Sequence, residues 1–331
     1  MNYNQKNFFF KVLFMVTIVV ITINCASKKS NTTPISKTPA VQVVKKKEII
    51  GDDHEIVEEV QEVTIPKYIK DSTDYFSDSS FEIQWSDSIY NTLSLDEKIS
   101  QLMMVAAYPN KDEVHYTAVD SLITKYKIGG LIFFQGGPVK QAKLNNRFQS
   151  KSKIPMLIGI DAEWGLSMRV DSTYKFPFNM TLGAVKDLNL IEAVGKKMGA
   201  EAKRMGIHYT FSPVVDINTN PNNPIIGVRS FGEDKEDVTN KAIALMKGIN
   251  SQGVFATAKH FPGHGDTSTD SHHTLPVINF TKLRLDEVEL YPYKRMISEG
   301  LQSVMVAHLN VPVLEPNPAT PSSLSKNIVT D

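Results

Sequence analysis

Residues 254–273 read Val254-Phe255-Ala256-Thr257-Ala258-Lys259-His260-Phe261-Pro262-Gly263-His264-Gly265-Asp266-Thr267-Ser268-Thr269-Asp270-Ser271-His272-His273. The first seven residues form an apolar run of strand length that ends on a lysine and a histidine. A long loop follows, in which Gly and Pro set the backbone while His and Asp supply titratable groups. The same punctuation recurs on either side. Strand-like runs lie at Gln101–Ala106, Gly129–Phe134, Ile154–Ile160, His208–Asp216, Val254–His260 and Ser303–Asn310. Helix-like stretches separate them near 112–127, 138–151, 187–205, 233–252 and 281–300. The fourth opens on Glu233-Asp234 and closes at Gly253, as dipole and C-cap preferences favour.

Strands alternating with helices imply an α/β fold with a parallel sheet. A doubly wound sheet and a (β/α)8 barrel both fit. No GxGxxG or Walker loop follows any strand, which weighs against nucleotide binding. Polar residues stand where strands end: Asp161, Asp216, His260 and His308. In a TIM-type barrel those ends form the active face. Six strand candidates make the barrel incomplete, about six βα units, preceded by a signal and a flexible linker.

Composition excludes little else. Across 331 residues, Lys+Arg and Asp+Glu both total 36, so no basic field recruits nucleic acid. The one cysteine, Cys25, rules out an intrachain disulfide. It follows the apolar run Val12–Ile23, which Lys6 and Lys11 precede and polar residues follow. That run is of signal length and short for a bilayer span. Residues 1–25 resemble a bacterial lipoprotein signal, which implies lipidation at Cys25 and an exported, membrane-anchored protein. The alternative is a plain anchor helix with an incidental cysteine. Residues 26–80 mix Thr, Ser, Pro, Lys and acidic residues and read as a disordered tether. The globular part, 81–331, begins near Trp85, with a capping box at Ser94–Glu97.

In an extended loop, Asp270 and His272 share a side. A carboxylate beside an imidazole favours its protonated form and fixes its orientation, so the pair suits general acid and base work. The bland alternative is that the two merely pin the loop by local hydrogen bonds. A metal site of His260, His264 and His272 is opposed by the adjacent Lys259 charge, and no short zinc signature is present. Neither metal nor organic cofactor is expected.

The motif KHFPGHGDTSTDSH (259–272) resembles the signature of glycoside hydrolase family 3, in its NagZ-type β-N-acetylglucosaminidase branch. GIDAEWGLSMR (159–169), FSPVVDI (211–217) and IGVRSFG (226–232) add to the likeness, which spans roughly 90 to 331. The sister branch of β-glucosidases and β-xylosidases lacks the DSH loop and takes its acid from another domain. The resemblance implies a retaining glycosidase. Asp161 would bind sugar hydroxyls, while Arg169, Arg229, Lys259 and His260 would hold the sugar and its N-acetyl arm. Asp270 and His272 would be the acid/base dyad. The implied partners are a GlcNAc-containing glycan, such as a peptidoglycan fragment, and a membrane through the lipid anchor, with no nucleic acid. Taken singly, Arg169 and Arg229 would pass for rim ion pairs and Lys259 for a snorkelling strand end.

Two departures stand out. Where the family often has EGGR, this sequence has Glu163-Trp164-Gly165-Leu166, so an indole joins the site as a stacking surface or a wall. The family's nucleophilic aspartate sits in a segment like F-S/T-D at the end of the seventh strand, whereas Asp331 falls inside the helix expected before that strand and does not match the motif. The 331-residue chain alone is therefore expected to be inactive and loosely folded.

Overall fold

The computed structural model describes residues 42–45, 59–62, 80–269 and 275–330. Cys25, Asp270 and His272 lie outside the described residues. Within the segment read as a tether, β1 (Gln42–Lys45) pairs antiparallel with β2 (Glu59–Glu62). The barrel is a separate unit from Ile89 onward.

That unit is an α/β sheet of six parallel strands in sequence order. They are β3 (Met104–Ala107), β4 (Gly130–Phe133), β5 (Leu157–Ile160), β6 (Tyr209–Thr210), β7 (Phe255–Phe261) and β8 (Ser303–Val306). A helix follows each of the first five: Glu113–Ser121, Pro138–Lys151, Leu188–Arg204, Lys235–Asn250 and Tyr291–Ser298. This is the arrangement of an incomplete TIM-type barrel.

The strands read as unbroken apolar runs because both faces are covered. Leu131, Phe133, Ile158, Ile160, Ala256 and Ala258 face the core shared with the helices. Ile132, Tyr209 and Phe211 form a second cluster, with Met104, Ala106 and Met305 packed on it. Alternate residues of one strand thus feed different cores, as the period of two requires. Each large side chain so buried contributes about 1.5–3 kcal/mol.

Helix starts follow sidechain chemistry. Ser94 and Glu97 make the expected capping box at Leu95–Ser100. Asp112, Asp187 and Asp234 each cap a helix by accepting a backbone N–H. Gly253 has φ 72°, the left-handed value that lets the chain leave the helix Lys235–Asn250.

Several expected boundaries move. Gln101 and Leu102 belong to a helix end and turn, and Gln101 Nε2 donates to the Lys127 carbonyl at 2.5 Å. The strand expected over 208–216 shrinks to two residues, because Pro213 lacks the N–H that a ladder needs. The chain still runs beside β7, through a bridge of Val214 with Lys259. The helix expected over 281–300 breaks into Lys282–Arg284, a wide turn Leu285–Glu289 and Tyr291–Ser298. Pro292 sits in the first turn of the last piece, where its missing N–H costs nothing.

Candidate active site

Asp161 follows β5 directly, and Glu163 lies two residues on. From β7, Lys259 reaches both, with Nζ 3.0 Å from Asp161 Oδ1 and 2.7 Å from Glu163 Oε1. The register of β7 against β8 shifts between Lys259 and Phe261. Such an irregularity re-aims side chains at a strand end. The Lys259–His260 and Phe261–Pro262 peptides are cis.

Arg169 closes the short turn Leu166–Met168, and its guanidinium donates to Asp161 Oδ2 at 2.7 Å. It also lies over the Phe134 ring, 5.0 Å from the centroid. Arg229 ends the turn Gly227–Arg229 and grips Glu163 with two parallel bonds of 2.8 and 2.7 Å. The Arg229 carbonyl accepts from Asn179 Nδ2 at 2.7 Å, which fixes the backbone behind the fork. All five residues expected to hold a sugar therefore converge at the C-terminal ends of the strands.

The cluster has two tiers. Glu163 and Lys259 are almost wholly buried, whereas Asp161, Arg169, Arg229 and His260 are half-buried and reach solvent. Burial raises the Glu163 pKa, but Lys259 and Arg229 outweigh it and hold the carboxyl far below its usual range. Burial likewise opposes ionisation of Asp161, and Lys259 and Arg169 reverse the effect. Arg229 moves above its ordinary value against burial, through Glu163.

His260 is held differently. Its Nδ1 lies 2.7 Å from Asp216 Oδ2, and its Nε2 is 3.1 Å from Arg229 Nη2. A guanidinium only donates, so Nε2 accepts and the proton sits on Nδ1. Burial is the main reason that the imidazole is pushed down to about 4, although Asp216 pulls the other way. The ring is neutral at neutral pH. Asp216 also accepts the backbone N–H of His264 at 2.7 Å, and His264 Nδ1 lies 2.5 Å from Thr267 Oγ1.

Sequence reasoning missed two members. Glu163, in sequence only part of a divergent motif, is the counter-charge to Arg229 and Lys259. Its spacing of two from Asp161 was the available signal. Asp216, in sequence only a strand-end polar residue, is the anchor of both His260 and His264. His308, the fourth strand-end residue, has Nδ1 2.5 Å from Ser323 Oγ. Trp164 is half-buried and edge-on to Phe178, with ring centroids 4.8 Å apart. Asp270 and His272 fall in 270–274, outside the described residues. Among the described residues no three His, Cys, Asp or Glu side chains converge as a metal site.

Comparison with known proteins agrees with this architecture. Residues 94–331 match the glycosyl hydrolase family 3 N terminal domain. Beta-hexosaminidase A of Pseudoalteromonas piscicida is 36% identical over 211 residues, 60% of this chain and 35% of that protein. The beta-N-acetylglucosaminidase/beta-glucosidase of Cellulomonas fimi is 30% identical over 230 residues, 70% of this chain and 40% of that protein. The solved family 3 beta-N-acetylglucosaminidase of Paenibacillus sp. str. FPU-7 superposes with a TM-score of 0.67 at 38% identity, covering 72% of this chain and 46% of that one. The chain thus spans less than half the length of each of these three relatives. With the barrel strands, the charged cluster at their C-terminal ends and these matches together, the chain belongs to glycosyl hydrolase family 3.

Proposed function

We propose that the full-length protein is an exported, lipid-anchored, retaining β-N-acetylglucosaminidase. Its substrates would be terminal β-linked GlcNAc residues of peptidoglycan fragments or of other glycans that reach the cell envelope. The observation that carries this reading is the convergence of Asp161, Arg169, Arg229, Lys259 and His260 from three distant segments onto one patch. A carboxylate ringed by fixed donors suits a polyhydroxylated ring with an amide arm, because it offers both acceptors and donors without reorganisation. The names of the relatives support the GlcNAc preference, and the Asp270-Ser271-His272 motif supports the branch.

In the mechanism, Asp161 accepts hydrogen bonds from sugar hydroxyls, and Arg169 and Arg229 orient the ring and its amide. Neutral His260 keeps Arg229 in place by accepting from it. His272, oriented by Asp270, gives a proton to the glycosidic oxygen as the C1–O bond breaks and a carboxylate oxygen bonds to C1. Water then attacks C1, loses a proton to His272 and frees the carboxylate. No residue of the chain is assigned as that carboxylate.

A second reading is favoured by the dual name of the Cellulomonas relative, which includes β-glucosidase. Comparing release of aryl aglycone from β-GlcNAc and β-glucoside by the full-length protein separates the two. Faster hydrolysis of the GlcNAc substrate is expected. Preference for the glucoside would overturn the GlcNAc assignment. Turnover of neither would overturn the glycosidase reading, and binding of GlcNAc without turnover would replace it with that of a glycan binder.

A further inference from the structure

Asn223 is buried, and its carboxamide uses both ends. Its Oδ1 accepts the backbone N–H groups of Ile225 and Ile226, each at 2.9 Å. That turn leads straight into Gly227–Arg229, where Arg229 N–H donates to the Ile226 carbonyl at 2.7 Å and Arg229 Nη1 to the Ile225 carbonyl at 3.2 Å. Its Nδ2 donates to the His264 carbonyl at 2.8 Å and to Thr267 Oγ1 at 3.4 Å. Those two residues belong to the loop that runs on to Asp270 and His272. One amide therefore joins the segment that carries Arg229 to the base of the other loop.

Neighbouring contacts make the joint rigid. Asn220 Nδ2 donates to the Thr267 carbonyl at 3.3 Å, and Thr219 Oγ1 donates to Asp266 Oδ1 at 3.2 Å. A Cβ at Gly265 would sit 1.9 Å from the Ile217 carbonyl oxygen, so the loop lies directly on backbone there. Of these links only Asn223 is buried and bonds both segments through one side chain. Asparagine is specified because the site needs an acceptor on one side and a donor on the other. A carboxylate would set an oxygen against the His264 carbonyl in a site shielded from water.

We propose that Asn223 is a positioning residue that ties His264 and Thr267, at the start of the loop whose sequence runs on to Asp270 and His272, to the segment that carries Arg229. The proposal rests on the acid/base reading of Asp270 and His272 given above. Asn223→Asp keeps the acceptor for Ile225 and Ile226 and removes the donor to His264. Asn220→Ala cuts a weaker, more exposed strap and serves should the buried variant fail to fold.

The experiment measures kcat and KM of the full-length protein on aryl β-GlcNAc substrates with a graded series of leaving groups. Thermal melting and hydrogen exchange across 263–275 are recorded in parallel. Asn223→Asp should lose on the order of 10- to 100-fold in kcat on the poorest leaving groups, as a misplaced catalytic group does. Activated leaving groups should suffer much less, and Asn220→Ala should show the same trend more weakly. Equal losses across the series, or a rise in KM alone, would overturn the proposal. Failure of the functional reading has a different signature, which is a wild-type protein with no turnover. Hydrogen exchange then decides: faster exchange confined to the loop in Asn223→Asp supports the joint, and unchanged exchange refutes it.

Discussion

Glu163 carries the charge balance of the cluster. Two carboxylates, Asp161 and Glu163, pair with three fixed cations, Arg169, Arg229 and Lys259, while Asp216 pairs with the neutral His260. Glu163 is the one carboxylate bonded to two cations while fully buried, so Glu163→Gln leaves Arg229 and Lys259 under-compensated. Losing one partner of a buried pair costs about 3–5 kcal/mol, and urea unfolding should register a loss of that order. His260 sets a second test. Its folded-state pKa, about 4, lies below the unfolded value of 6.5, so between those values only the unfolded chain takes up the proton. Stability therefore falls as pH drops through that window and is fully present above it. The depressed carboxyls of Asp161 and Asp216 add losses only at lower pH. The melting temperature should begin to fall below about pH 6.5, and His260→Asn should shrink that first limb, leaving the part that comes from His115 and His208, whose imidazoles burial also holds below the ordinary value. At this scale the sequence named five residues that converge, because a specific motif surrounds each. It did not reveal that Glu163 pairs with a residue 66 positions away, since no local pattern encodes a long-range ion pair.

Among the elements, the helices Leu188–Arg204 and Lys235–Asn250 meet backbone to backbone. A Cβ at Gly248 would lie 2.1 Å from the Glu192 carbonyl oxygen and 2.6 Å from the Lys196 nitrogen. Gly248→Ala must push these helices apart, and overpacking of this kind costs about 1–3 kcal/mol. Equilibrium unfolding measures it, and a neutral result would mean that the helices slide freely. All six strands and five helices were legible because apolar runs, Asp and Ser caps and glycine stops coincide at their ends. What escaped was local. Pro213 ended a ladder that hydropathy alone extends to Asp216. Pro292 and the wide turn before it divided a helix that periodicity reads as continuous.

At the scale of the whole molecule, one alternating pattern implies the parallel sheet and one motif the family, whereas the sequential order β3 to β8, which a doubly wound sheet would not have, is visible only in the structure. The anchor is a separate proposition, resting on Cys25 after a signal-length apolar run. Cys25→Ala should release the protein from membranes in an export-competent host, since several acyl chains anchor stably and none cannot. A wild-type protein already free of membranes would remove the lipoprotein assignment. The central claim is acid/base glycoside hydrolysis, and the leaving-group dependence of His272→Ala in the full-length protein tests it most directly. Turnover of β-GlcNAc substrates with poor leaving groups should drop roughly 100- to 10,000-fold, with activated aryl groups far less affected in the first step. Equal losses across the series would contradict the role of His272, and a wild-type protein unable to release any aglycone would contradict the account as a whole.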